Sequence, residues 1–124
     1  MLPIGVSNEV EQLACPIRNV VAKVTGKWQV LILLALEDGA LRFGVLRRTI
    51  GDVTQGVLTE NLRGLERDGL LTRQVHAGPP LAVSYELTER GAGLVTMLKP
   101  LVLWAGENIT SIKADRAAYD AHHP

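Results

Sequence analysis

The sequence predicts a mainly α fold with a small antiparallel β-hairpin wing: a winged helix-turn-helix with N- and C-terminal helices suited to dimerisation. Three observations carry this. The runs Phe43 to Arg48 and Val53 to Leu71 read as two short helices joined by a tight turn, the second ended by a glycine, Gly69. Leu71 to His76 and Ala82 to Leu87 are extended segments on either side of Ala77-Gly78-Pro79-Pro80-Leu81, whose prolines forbid helix and whose glycine permits a bend. Beyond them, Leu94, Leu98, Leu101, Ala105, Asn108 and Ile112 follow the alternating four- and three-residue spacing of a helix that packs along another helix.

The chain has 124 residues and is 47% hydrophobic, which fits one compact domain with its own core and excludes a disordered chain. Thirteen basic and thirteen acidic residues cancel to a formal net charge of zero, so no global positive field announces a nucleic-acid partner. The placement is uneven, however. Between Arg42 and Arg73 stand six arginines against Asp52, Glu60, Glu66 and Asp68, a local excess of two positive charges. All six cations there are Arg, the side chain suited to bidentate contact with phosphate or guanine.

Taken in order, Ser7-Asn8-Glu9 can cap a short N-terminal helix, and Cys15-Pro16 opens a second that ends near Gly26. Lys27-Trp28 begins a helix carrying Val30 to Leu36, far shorter than the roughly 20 residues of a bilayer span and therefore a core helix. Glu37-Asp38-Gly39 stops it, and Leu41-Arg42-Phe43 leads into the first helix of the motif, which ends near Gly51. With no charged segment before a long apolar run, no signal peptide is expected, and the location expected is cytoplasmic.

The second helix of the motif is specified at both ends. Thr54 suits the N-cap, with Val53 and Leu58 in the positions of a hydrophobic staple. Gly69 suits the left-handed residue after the last turn, with Leu70 placed to meet Leu65. At about 100° per residue, Leu58, Leu62 and Leu65 share one stripe. Gly56, Thr59, Glu60, Arg63 and Arg67 fall opposite, with Thr54 and Gln55 at the leading end. Such a helix can rest on a core and point polar side chains into a DNA groove. Gln55 and Thr59, near its start, are the base readers expected, Arg67 is the phosphate anchor, and Arg63 suits either role. Arg42, Arg47 and Arg48 before the helix and Arg73 on the wing complete the set of candidate DNA contacts.

In the second wing strand, Val83, Tyr85 and Leu87 alternate with Ala82, Ser84 and Glu86, so one face is expected on the core. Thr88-Glu89-Arg90-Gly91 opens the terminal helix, whose candidate dimer face is Leu94, Leu98, Leu101, Trp104, Ala105, Asn108 and Ile112. Pro100 is expected to kink this helix or start another, because its ring blocks a bond to the preceding turn. The organisation expected is an N-terminal arm over 1–14, a DNA-binding core over 15–91, and a dimerisation helix and tail over 92–124.

Cys15, the single cysteine, cannot form an intrachain disulfide. A thiol at a helix start with Arg18 nearby has a route to a lowered pKa and to oxidation, against the alternative of a small buried apolar residue. His76, His122 and His123 do not form a metal-ligand spacing with it, and His122-His123 stands in a tail expected to fray. No nucleophile elbow and no phosphate-cradling glycine loop is present, so neither an enzyme, a metal nor a cofactor is expected.

Together these residues resemble the HxlR-type winged helix-turn-helix transcription regulators. The likeness covers Cys15 to Gly106 through Cys15-Pro16, Gly26-Lys27-Trp28, Arg42-Phe43 with Leu46-Arg47-Arg48, and Leu58-Thr59 with Leu62-Arg63 and Leu65-Glu66. It continues through Gly69-Leu70, Tyr85-Glu86-Leu87-Thr88 with Gly91, and Trp104. The resemblance implies a cytoplasmic prokaryotic homodimer, held by its terminal helices, that binds double-stranded DNA at an inverted-repeat operator. It also implies that a cysteine in the place of Cys15 can sense oxidants. Val45 and Gly56 depart from the family pattern, each removing a polar contact, although a glycine lets a backbone approach a phosphate closely. A regulator governed by a small-molecule inducer in an apolar groove between the buried helix and the terminal helices, or by oxidation of Cys15, makes the same DNA contacts. A winged-helix protein-interaction module without DNA binding is the alternative that zero net charge and Gly56 favour.

Overall fold

The computed structural model describes residues 16–123, so Cys15 and the cap expected at Ser7-Asn8-Glu9 lie outside the described residues. In order these form α1 (16–24), α2 (Lys27–Ala35), β1 (Leu41–Arg42), α3 (Phe43–Ile50), α4 (Gln55–Arg67), β2 (Leu71–His76), β3 (Ala82–Leu87) and α5 (Glu89–His122). The result is mainly helical with one small antiparallel sheet, as the sequence predicts.

The sheet holds one strand more than the wing. Strand order is β1-β3-β2, with Leu41 opposite Tyr85 and Arg42 opposite Ser84 on one side of β3, and Leu71 to His76 opposite Leu87 to Ala82 on the other. Leu41-Arg42 is thus a short strand, and α3 begins on the next residue. Two residues are too few for a side-chain period to be read, and pairing with β3 alone defines them. The middle position of β3 also explains Ser84, which alternation assigned to the open face: Ser84 is buried and its Oγ lies 2.8 Å from His76 Nε2.

One hydrophobic cluster joins the helices to the sheet. Ile32, Leu33 and Leu36 of α2 and its end meet Leu46 of α3, Leu58, Leu62 and Leu65 of α4, Leu71 and Tyr85 of the sheet, and Val95 and Leu98 of α5. The leucine stripe of α4 is therefore its core side. Val53 and Leu58, the staple positions, are both buried in the same cluster.

Both ends of α4 are capped by local chemistry. Thr54 Oγ1 accepts from the Val57 N–H at 3.2 Å. At the other end the Leu70 N–H reaches Leu65 O and the Gly69 N–H reaches Glu66 O, both at 3.0 Å, which is the Schellman pattern. Gly69 has φ +75°, a conformation an L side chain rarely adopts. This turn is fastened to the start of α5. Thr88 Oγ1 donates to Gly69 O at 2.6 Å and accepts from the Gly91 N–H at 3.1 Å, while Arg90 Nη1 donates to Asp68 O at 3.1 Å. Gly91 lies so close to the Leu70 carbonyl that a Cβ there would be driven into its oxygen.

Helix α5 is a continuous 34-residue element that contains Pro100. No second helix starts at the proline. Pro100 is exposed, and its missing N–H costs one bond in a helix long enough to continue past it. The helix also runs through to His122, where a frayed tail was expected, and the His123 ring stacks on Tyr119 with centroids 3.9 Å apart.

Candidate nucleic-acid interface

Two side-chain ties set the pose of α4 on the core. Gln29 Nε2 on α2 donates to Asn61 Oδ1 on the middle of α4, and Asn61 Nδ2 donates to Val57 O at 2.8 Å. Arg47 Nε on α3 donates to Val53 O at 3.3 Å, closing the turn between α3 and α4. With the leucine stripe buried, these ties leave the opposite side of α4 to solvent.

Between α4 and the wing runs an open groove of about 670 Å³. Gln55, Thr59, Arg63 and Glu66 line its helix side, and Arg73, Leu81 and Tyr85 line its sheet side. The structure thereby brings together four of the predicted contact residues, Gln55, Thr59 and Arg63 along one line of α4 and Arg73 across from them. Gly56 and Arg67 are exposed on the outward side of α4, and nothing lies within 4 Å of the position a Cβ would take on Gly56. That open backbone permits a close approach.

The other predicted contacts are placed differently. Glu60 lies away from the groove, on a cleft of about 350 Å³ shared with Lys23, Gln29, Asn61 and Asp68. It is separated from the Gln55–Thr59–Arg63 line because a step from Thr59 to Glu60 turns the helix by about 100°. Thr54 is a cap, its hydroxyl engaged with the Val57 N–H. Arg47 is exposed but engaged with Val53 O, while Arg42 on β1 and Arg48 on α3 are exposed. In the candidate dimer face, Leu98 is only 4% exposed and Leu94 is packed against the same core, so both serve this chain's own interior. Leu101 and Trp104, at 54% and 56% exposure, begin the part of that face which is open; Ala105 is exposed, and Asn108 and Ile112 are half-buried.

Sequence reasoning missed Gln29, Asn61 and Glu66, and also the wing-tip Leu81, which is exposed beside the groove. Glu66 and Asn61 were within reach of the helical angle, which puts one toward the wing and the other toward α2. Gln29 carries no pattern of its own, because its partner lies on another helix.

The electrostatics are those of an open surface. Among the described residues, Lys99 Nζ pairs with Glu37 at 2.8 Å and Lys23 Nζ stands 4.0 Å from Asp68. The hydrogen bond to the Glu37 carboxylate, with its charge, holds the Lys99 ammonium above its ordinary 10.5. Among the described residues no three His, Cys, Asp or Glu side chains gather as a metal site, and no helix is long and apolar enough to cross a membrane.

A helix capped at both ends, seated on a core by one face and flanked by a β-hairpin, with arginines on its open side and on the hairpin, defines a winged helix-turn-helix protein. The HxlR-like helix-turn-helix family profile matches residues 23–113, and the chain belongs to that family. It is 40% identical over 102 residues to the HTH-type transcriptional regulator YtfH of Escherichia coli, covering 82% of this chain and 81% of that one. The solved structure of the transcriptional regulator ytfH from Salmonella typhimurium superposes with a TM-score of 0.77 at 40% identity, over 82% of this chain and 90% of that one. The redox regulator HypR in its oxidized form superposes with a TM-score of 0.69 at 35% identity, over 76% and 97%. This chain is thus a transcriptional regulator of the helix-turn-helix type.

Proposed function

We propose that the protein is a homodimeric, sequence-specific DNA-binding regulator that acts without catalysis in the cytoplasm, each α4 reading one half-site of an inverted-repeat operator. The observation that carries this reading is the groove between α4 and the wing, where Gln55, Thr59 and Arg63 face Arg73. Gln55 and Thr59 contact base edges, since side chains near the start of such a helix reach deepest into the major groove. Arg63 reads a base or a phosphate, and Arg67, Arg73, Arg42 and Arg48 hold the backbone. Glu60 and Thr54 act indirectly, through the pose of α4. The division into an arm over 1–14, a DNA-binding core over 15–91 and a dimerisation helix over 92–124 is part of this reading, with the seam drawn by Leu101, Trp104, Ala105, Asn108 and Ile112.

Selection from a random duplex pool at physiological salt, followed by sequencing of what the reduced protein retains, tests it. The expected product is an inverted repeat with half-sites about one helical turn apart. Arg63→Ala then costs about 1–3 kcal/mol where it reads a base, whereas Arg67→Ala weakens all sequences alike and lowers the salt slope by about 1. Absence of any enriched duplex would instead favour the protein-interaction module.

The likeness to HypR, named as a redox regulator, favours a second reading in which oxidation of Cys15 governs DNA release. Titrating operator binding with diamide in wild type and Cys15→Ser decides it, the wild type alone being expected to respond.

A further inference from the structure

Away from the α4–wing groove, a second groove of about 510 Å³ runs between α1 and α5. Its walls are apolar: Val20 and Val24 from α1, Leu70 from the turn after α4, and Leu94 and Met97 from α5. Val24 and Leu70 form the floor, at 8% and 5% exposure, while Val20 and Met97 stand open at the sides. At one end lie the Arg90 guanidinium and the Asp68 carboxylate.

The charges at that end are not balanced against each other. The Asp68 carboxylate stands 4.0 Å from Lys23 Nζ. Arg90 makes no ion pair among the described residues, and its Nη1 donates to the Asp68 main-chain carbonyl at 3.1 Å. A guanidinium carries five N–H donors in a planar fork that matches a carboxylate bidentately, so one bond to a carbonyl leaves most of that capacity unused. Two cations and one anion therefore leave a positive excess where an apolar trough ends. Both the volume and the ratio of apolar wall to convergent polar groups suit a small ligand.

We propose that this groove binds an amphipathic monocarboxylate, its hydrocarbon body between α1 and α5 and its carboxylate on Arg90. The groove has a direct line to the reading helix. Asp68, whose carbonyl Arg90 holds, is the C-cap residue of α4, and Leu70 on the groove floor makes the Schellman bond that ends that helix. A carboxylate bound end-on across the two Nη atoms of Arg90 draws Nη1 from the Asp68 carbonyl and so loosens the fastening between α4 and α5. Only this coupling, and not the site itself, rests on the DNA-binding reading.

Calorimetric titration of the full chain with decanoate, and with decanol as the uncharged analogue of the same tail, tests the site. The expected result is saturable decanoate binding at least ten-fold tighter than decanol, weakened at least ten-fold in Arg90→Gln and partly restored in Arg90→Lys. Equal binding of the two compounds by the wild type, or no binding of either, overturns the proposal without reliance on any variant. So does loss of decanoate binding as the chain dimerises with rising concentration, which assigns the groove to a second copy. With the selected operator, filling the site lowers DNA affinity at least three-fold; unchanged affinity overturns the coupling. Failure to select any duplex overturns the DNA reading while the calorimetry still decides the site.

Discussion

The two halves of α5 live in different surroundings. Its start is anchored to the rest of the chain: the N-cap Thr88 and Arg90 bond to the turn after α4, Gly91 is pressed on the Leu70 carbonyl, and Val95 and Leu98 are buried in the core. From Leu101 onward the helix carries Leu101, Val102, Leu103, Trp104 and Ile109 largely in solvent. The same helix is thus a structural member at one end and an unpartnered apolar surface at the other. An apolar stripe at helical spacing says that something will cover it, and only the tertiary contacts say whether that cover is the chain itself.

Attacking the anchored half should have the largest effect. Gly91→Ala forces a methyl into the Leu70 carbonyl and against Leu87, so about 3 kcal/mol of stability should be lost, as a fall in the urea midpoint. Thr88→Ala removes the cap of α5 together with its bond to Gly69 O, with an expected cost of about 1–2 kcal/mol by the same measurement. In the open half, Trp104→Ser should change the stability of the isolated chain by no more than about 0.5 kcal/mol. Its effect should fall on self-association, read by sedimentation equilibrium, and a Trp104→Ser chain that associates like the wild type would remove this residue from the seam.

The smallest effect belongs to the boundary between the halves, where Lys99 meets Glu37. Because the Lys99 pKa is raised in the folded chain, its contribution is complete below the ordinary 10.5 and fades as the pH rises through the folded value. Lys99→Met should therefore match the wild type more closely above that range than at neutral pH in urea titrations. Both side chains of the pair are well exposed, so solvent screens the attraction and the difference should be small.

Local chemistry made α4 legible in the sequence. Thr54, Gly69 and three leucines lie within one helix and its caps, and each acts on neighbours a few residues away. The wing strands were legible for the same reason, through their alternation and their glycine-proline turn. What escaped were features defined by a distant partner: β1, which exists by pairing with β3; the Gln29–Asn61 tie between two helices; and the burial of Ser84 inside the sheet. At Pro100 one of the two expected outcomes is set aside: no second helix starts there, because the helix on either side carries the loss of one bond. For the α4–wing groove, the helical angle found Gln55, Thr59 and Arg63, but only the folded chain placed Arg73 opposite them and Glu60 elsewhere.

The hydrogen bonds from Thr88 and Arg90 to the last turn of α4 have a geometric consequence for the proposed dimer. They make the reading helix and the 34-residue α5, about 51 Å long, move as a bracket with a stiff corner. When two such brackets cross through their free arms, the angle of crossing sets how far apart the two reading helices stand. On the proposed reading as a DNA-binding dimer, the C-terminal helix is then a ruler for operator spacing, independent of any side chain that touches a base.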